Sequence, residues 1–371
     1  MNALVLTLGA SSFLISLVGT AAMIRIGRAL GALDTAPIEG QVKESPRAVP
    51  NTGGVAIAAG IWVPMLAGLL AATFLDPSAF AWTTFPIEEL WPELTRRVEL
   101  GWGTLAVLMV IHAVGVLDDR RPMGAMPKLL VMLAAALFVA LAMDTRLMTM
   151  LDPLVGGSWL SVLLTVVWVT LVVNAMNFID NTDGLSAGVA LIAGALFLVA
   201  ALLSAQWFVG ATLALLVGAC AGFLVFNFPP AKVFMGDGGS LVLGILLAIT
   251  TVRTTYIPEG GSAIASSWYA LLMPLAVLAV PLYDFASVTL IRLSQGKSPF
   301  RGDLQHFPHR IRARGLSARS TILVIYALTA GSGIAGILLT RAGDLEAALL
   351  GIQIACVIAA LAIFEYKARD R

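Results

Sequence analysis

The chain has 371 residues, 59% of them hydrophobic and only 12% charged, with a net charge of +1 and a mean hydropathy of +0.92. Soluble domains carry about a quarter charged residues, so the apolar excess is lipid-facing surface rather than one large water-soluble core. The near-neutral balance excludes a basic nucleic-acid footprint. The two cysteines, Cys220 and Cys356, both lie in apolar runs, which excludes a disulfide framework and a cysteine zinc cluster.

A span needs about 20 apolar residues. Runs of that kind recur near residues 3–24, 53–74, 101–117, 129–143, 158–177, 186–204, 208–226, 239–252, 268–291, 321–340 and 345–364. The expected fold is a single all-α polytopic membrane domain over 1–371 with about eleven transmembrane helices. The first run lacks a basic leader and a cleavage site, so it reads as a retained span rather than a signal peptide. Pro274 and Pro281 predict that the run 268–291 is bent or broken.

Lys and Arg concentrate in cytoplasmic connections. Arg96, Arg97, Arg146, Arg253 and Arg341 fall on one side of the predicted spans, and the rest of the 23 basic residues fall on the other. This predicts the N-terminus outside and the C-terminus cytoplasmic.

Polar residues are costly near a bilayer and mark function by default. Five clusters stand out, all on the predicted cytoplasmic side. Arg47-Ala-Val-Pro50-Asn51-Thr52-Gly53-Gly54 precedes the second span, where a basic residue and a Pro/Gly turn suit a phosphate. Leu117-Asp118-Asp119-Arg120-Arg121-Pro122 ends the third, with Lys128 opening the fourth. Two adjacent acids at the negative end of a helix call for a cationic partner or a divalent metal. Asn174, Asn177, Asp180 and Asp183 recur every three residues, one helix face, up to a break expected at Asp183-Gly184. Phe234-Met-Gly236-Asp237-Gly238-Gly239-Ser240 follows Asn227 and Lys232; a Gly-rich turn into a helix leaves N–H donors pointing outward, and Asp237 offers oxygen to a hard cation. It is neither a Walker A loop nor a dinucleotide fingerprint. The fifth cluster, Arg292 to Arg312, holds His306, His309 and Arg310 and suits an anionic phosphate. His112, inside the third span, reads as a structural polar contact.

Carboxylates with few nitrogen or sulfur ligands point to Mg²⁺ or Mn²⁺ rather than zinc. Metal-assisted phosphoryl or phosphosugar transfer follows, and the oily bundle suggests a lipid substrate. A transporter with intramembrane carboxylates is the rival from another class. It does not explain why all five clusters share one face. A CDP-alcohol phosphotransferase is a second rival, but its closely spaced acidic signature is not found.

The segments Leu117-Asp118-Asp119, Asn174-x-x-Asn177-x-x-Asp180-x-x-Asp183-Gly184, Pro230-Ala-Lys232-Val-Phe234-Met-Gly236-Asp237-Gly238-Gly239-Ser240 and His306-x-x-His309-Arg310 resemble the polyprenyl-phosphate N-acetylhexosamine-1-phosphate transferases. These include phospho-N-acetylmuramoyl-pentapeptide transferase and the enzymes that start O-antigen (lipopolysaccharide) and teichoic-acid synthesis. The resemblance spans roughly residues 45–310.

It implies transfer of a sugar-1-phosphate, GlcNAc-1-phosphate first, from a UDP-sugar to polyprenyl (undecaprenyl) phosphate with Mg²⁺, releasing UMP at the cytoplasmic face of a bacterial plasma membrane. It also implies a homodimer. By the same resemblance Asp237 holds the metal, and the catalytic set is Asp118, Asp119, Asp180 and His309. Substrate contacts fall to Arg47, Lys128, Asn177, Asp183, Asn227, Phe234, His306 and Arg310, with Phe234 against uracil and Asp183 and Asn227 near the nucleoside. The acidic motif lacks a third acid, and Pro308 stands where GlcNAc-type members usually carry another His. The loop from Pro299 to Arg310 still resembles the GlcNAc branch more than the muramoyl-pentapeptide branch.

Overall fold

The computed structural model describes residues 2–33, 48–80, 87–254, 272–298, 305–340 and 342–366. In chain order the helices are α1 (Asn2–Ala29), α2 (Gly53–Phe74), α3 (Ile87–Arg96), α4 (Val98–Arg120), α5 (Ala125–Leu141), α6 (Trp159–Phe178), α7 (Leu185–Leu203), α8 (Trp207–Asn227), α9 (Asp237–Arg253), α10 (Met273–Val277), α11 (Ala279–Ser294), α12 (Phe307–Arg312), α13 (Ala318–Leu339) and α14 (Asp344–Tyr366). Among the described residues extended pairing is limited to two isolated bridges, Leu33 with Pro50 and Asn51 with Phe234.

Among the described residues seven helices, α1, α2, α4, α6, α7, α8 and α13, are long and apolar enough to cross a membrane, which makes this a multi-pass membrane protein. The runs expected at 129–143 and 239–252 correspond to α5 and α9, each 17 residues long. The run at 345–364 lies within α14. The run at 268–291 is broken, as its prolines predict, and its start lies outside the described residues. The break falls at Leu278, between α10 and α11. Proline clashes with the carbonyl four residues back; for Pro281 that carbonyl belongs to Val277, the last residue of α10. The amphipathic α3 was not expected.

Without a hydrophobic drive between helices in lipid, close packing and interhelical hydrogen bonds hold a bundle together. On α1, Ser12 and Ser16 donate to the carbonyls of Leu215 (2.6 Å) and Ala219 (2.7 Å) on α8. The axis of the fold is α9, whose residues Gly238 to Thr251 are all buried. It packs against α4 and α6. A Cβ at Gly115 on α4 would stand 2.5 Å from the Asp237 carbonyl oxygen and 2.6 Å from the Gly238 nitrogen. Gly115→Ala therefore has to push α4 off the start of α9. It is expected to cost about 1–3 kcal/mol, read as a lower thermal midpoint of the detergent-purified protein; an unchanged midpoint would mean that this contact yields freely.

Candidate active site

The candidate residues gather at one end of the bundle, where α4, α6 and α8 finish and α5, α7 and α9 begin. Asp237 is the first residue of α9. Its Oδ2 accepts from Lys128 Nζ at 2.8 Å, and its Oδ1 accepts from Asn177 Nδ2 at 2.9 Å. Lys128 reaches back with the same ammonium to Asp118 Oδ2 at 2.9 Å, and Asp118 Oδ1 accepts the Met123 N–H at 2.8 Å. One cation thus bridges carboxylates from α4 and α9. The three side chains keep 13–23% of their surface exposed, so they line the end of the bundle rather than its sealed core.

Asp119 does different work from its neighbour. Its carboxylate accepts the N–H groups of Asp237 (2.9 Å) and Gly238 (3.0 Å), and Asn51 Nδ2 donates to it at 3.2 Å. A helix start leaves backbone donors unpaired and carries positive partial charge, and Asp119 caps both donors from another helix. This corrects the expectation that the Gly-Asp-Gly-Gly turn presents outward-pointing donors, because Asp119 and Gly236 O take those of residues 237 to 240. Gly236 sits at φ +68°, and a Cβ there would lie 2.5 Å from Asp119 Oδ2. His112 is the structural contact expected of it, with Nδ1 2.7 Å from Gly238 O.

The Asn/Asp stripe is helical only in its first half. α6 ends at Phe178, earlier than the expected break, so Asp180 and Asp183 stand on a turn. Gly184, at φ +74°, is the cap of α7 rather than the stop of α6. Asn174 turns to Met132 Sδ and its own helix. Asp183 and Asn227 are buried: Asp183 accepts the Ala231 N–H at 3.0 Å, while Asn227 accepts from Gly184 N at 2.9 Å and donates to Val233 O at 2.8 Å. Together they tie the turn after α6 to the loop before α9. Phe234 is half-buried on that loop, which pairs with residues 50–54 through Phe234 N to Pro50 O and Gly53 N to Phe234 O.

Asp180 is held well above the ordinary carboxylate range, first by burial and then by the negative charges of Asp237 and Asp119. Above that range an unfolded chain has released this proton, whereas the folded chain still favours keeping it. Asp180 therefore lowers stability as pH rises toward neutral. Asp180→Asn is expected to melt higher than the parent at neutral pH, with the difference shrinking toward pH 4. A variant that melts lower at neutral pH would contradict this electrostatic picture.

Among the described residues no group of three or more His, Cys, Asp or Glu is disposed to hold one ion. What is present is a set of hard oxygen donors, Asp237 and Asp180 with Asp119 behind them, close enough to repel. That set fits a cation that keeps waters and shares its shell with phosphates, rather than a fully caged metal.

The basic segment lies at the same end. His306 Nδ1 is 2.9 Å from Asp284 Oδ2, and its Nε2 is 3.4 Å from Arg292 Nη2, so both ring nitrogens face protein groups. His309 and Arg310 are carried on α12; Arg310 donates to Ser287 Oγ at 2.8 Å and to the Gln305 carbonyl. Arg47 lies outside the described residues. Asn51 and Ser240, which accepts from Asn177 at 2.9 Å, lie in motifs the sequence marks but carry no role there, and Asp284 lies in none of them. A lone acid in an apolar run was the available signal for Asp284.

Residues 101–255 match the profile of glycosyl transferase family 4. The chain is 30% identical over 319 residues to the probable undecaprenyl-phosphate N-acetylglucosaminyl 1-phosphate transferase of Bacillus subtilis (strain 168), covering 85% of this chain and 79% of that protein. It is 31% identical over 376 residues to the decaprenyl-phosphate N-acetylglucosaminephosphotransferase of Mycobacterium tuberculosis (strain ATCC 25618 / H37Rv), covering 95% and 87%. Similarity to the phospho-N-acetylmuramoyl-pentapeptide-transferase of Desulforudis audaxviator (strain MP104C), 38% over 187 residues, covers 43% of this chain and 56% of that protein. With its two acids on α4, its amide on α6 and acids on the turn that follows, and its Gly-Asp-Gly-Gly turn assembled at one end of a membrane bundle, the chain belongs to the polyprenyl-phosphate N-acetylhexosamine-1-phosphate transferase family.

Proposed function

We propose that this protein transfers GlcNAc-1-phosphate from UDP-GlcNAc to a polyprenyl phosphate, releasing UMP and starting an envelope polysaccharide. The observation that carries the proposal is the Asp118–Lys128–Asp237–Asn177 chain of contacts. It sets two carboxylates, a cation and an amide at one mouth of a lipid-embedded bundle, where a nucleotide from water and a phosphate from the bilayer can meet.

In the reaction a phosphate oxygen of the lipid bonds to the β-phosphorus of the UDP-sugar. The bond from that phosphorus to the bridging oxygen breaks, and UMP leaves. The lipid phosphate is largely ionised near neutral pH, its second pKa being about 6 as for a phosphoserine, so Asp118 serves to position it through Lys128. Mg²⁺, or Mn²⁺ in its place, would be held by Asp237 with Asp180 and Asn177 alongside, and supplies charge neutralisation on the diphosphate when bound. His309 and Arg310 on α12 suit phosphate oxygens, Phe234 suits a stacked uracil, and Asp119, Asp183 and Asn227 hold the loop that carries Phe234 and the helix start that carries Asp237.

The charge asymmetry of the sequence supports about eleven spans with the N-terminus outside and this end of the bundle at the cytoplasmic face of a bacterial plasma membrane. A homodimer is consistent with the family. The GlcNAc branch is favoured over muramoyl-pentapeptide transfer, because the relatives that cover most of the chain carry GlcNAc names.

A panel of UDP-sugars tests the choice. With Mg²⁺ and undecaprenyl phosphate, UDP-GlcNAc is expected to yield UMP and UDP-MurNAc-pentapeptide is not. The reverse preference would move the protein to the other branch, and flux through proteoliposomes without UMP would favour a transporter.

A further inference from the structure

Three ionisable residues outside the Asp237 site are buried together between α11, α12 and the end of α6. Asp284 is 0% exposed, Arg292 2% and His306 7%. Burying charge in a membrane bundle is costly unless each group is paired, and here each is. Asp284 Oδ2 faces His306 Nδ1 at 2.9 Å, and its Oδ1 accepts the Phe307 N–H at 2.6 Å. Arg292 Nη2 faces His306 Nε2 at 3.4 Å. Its guanidinium lies 5.5 Å from the centre of the Phe178 ring, and that ring meets His306 edge-on at 5.7 Å.

The hydrogen-bond roles follow from chemistry. A guanidinium only donates, so Nε2 must accept and the ring proton must sit on Nδ1, where it is donated to Asp284. Asp284 therefore fixes both the tautomer and the orientation of His306. With its other oxygen it caps the first N–H of α12. One turn further along α11, Ser287 accepts from Arg310 at 2.8 Å, so α12 is pinned to α11 at both ends. Phe178, packed against this group, lies two residues before Asp180.

We propose that Asp284 is a positioning residue: acting through His306 and Arg292, it fixes the basic helix α12 against α11 and against the turn that carries Asp180, so that His309 and Arg310 are held for the phosphates. The functional half of this inference rests on the transferase reading given above, whereas the anchoring half does not.

The test uses the full-length protein in detergent or nanodiscs. Asp284→Asn is nearly isosteric and keeps an acceptor for Phe307 N–H, but its amide cannot accept the Nδ1 proton at the same time. His306→Gln and the double variant complete a cycle, with thermal midpoints measured for each. Hydrogen exchange over residues 305–312 reads the anchor without any substrate.

The expected result for Asp284→Asn is faster exchange in that segment and a loss of kcat/KM of more than about fivefold per folded molecule. The double variant should be no worse than the worse single change, as for residues that act through one another. Unchanged exchange, a loss below about fivefold, a loss that merely tracks the folded fraction, or additive losses would each overturn the proposal. If the parent protein releases no UMP, the transferase reading fails, and the exchange measurement alone judges the anchor.

Discussion

Asp237→Asn is expected to reduce UMP release by about a thousandfold or more, the scale on which loss of a preorganised charge at a phosphoryl-transfer centre acts, while leaving the bundle folded. The carboxylate sits at the start of the most enclosed helix and accepts from Lys128 and Asn177 on its two oxygens. The amide has the same shape and can still accept from Lys128, so packing is preserved and only the charge and one acceptor are lost. Steady-state rates, alongside a melting curve with and without Mg²⁺, separate the two effects. The parent is expected to melt higher with the ion, as a ligand of the folded state requires, and the variant to lose that response. A variant within tenfold of the parent rate would remove Asp237 from the centre of the mechanism.

Lys128→Met is expected to be the second most damaging change, with a loss of about a hundredfold or more. The ammonium bridges Asp118 and Asp237 at 2.9 and 2.8 Å. Methionine, one atom shorter, keeps the packing of the apolar stem but leaves two partly buried acids facing each other without a counter-charge. The cost in stability should be about 2 kcal/mol, below that of a fully buried pair because water still reaches all three groups. Because the site becomes more negative, the melting temperature of this variant should respond more steeply to Mg²⁺ than the parent's. Lys128→Arg should not restore the rate, since a planar fork cannot occupy the point between two carboxylates that a compact ammonium fills. Full activity in either variant would show that the bridge is incidental to turnover.

The sequence made these two residues legible because each lies in a local pattern: Asp237 among glycines at a helix start, Lys128 shortly after a pair of acids. Long apolar runs likewise foretold the helices, and Pro281 foretold the break beside Val277. What was hidden is non-local. Nothing within reach of Asp119 in the chain reveals that it caps α9, because its partners at 237 and 238 are separated from it by more than a hundred residues. The three-residue spacing from Asn174 to Asp183 reads as one helix face, yet the same spacing continues through a turn once the helix has ended at Phe178. Asp284 was overlooked inside an apolar stretch because its meaning depends on His306, 22 residues further on.

The most direct measurement follows the phosphorus. The purified protein is given UDP-GlcNAc labelled at the β-phosphate, undecaprenyl phosphate and Mg²⁺, and the nucleotide and lipid products are separated. Attack at the β-phosphorus predicts unlabelled UMP and all of the label in a lipid diphospho-sugar, with Asp237→Asn giving neither. Labelled UDP with an unlabelled lipid product would mean attack at the sugar carbon instead, and would contradict sugar-1-phosphate transfer as the reaction of this fold.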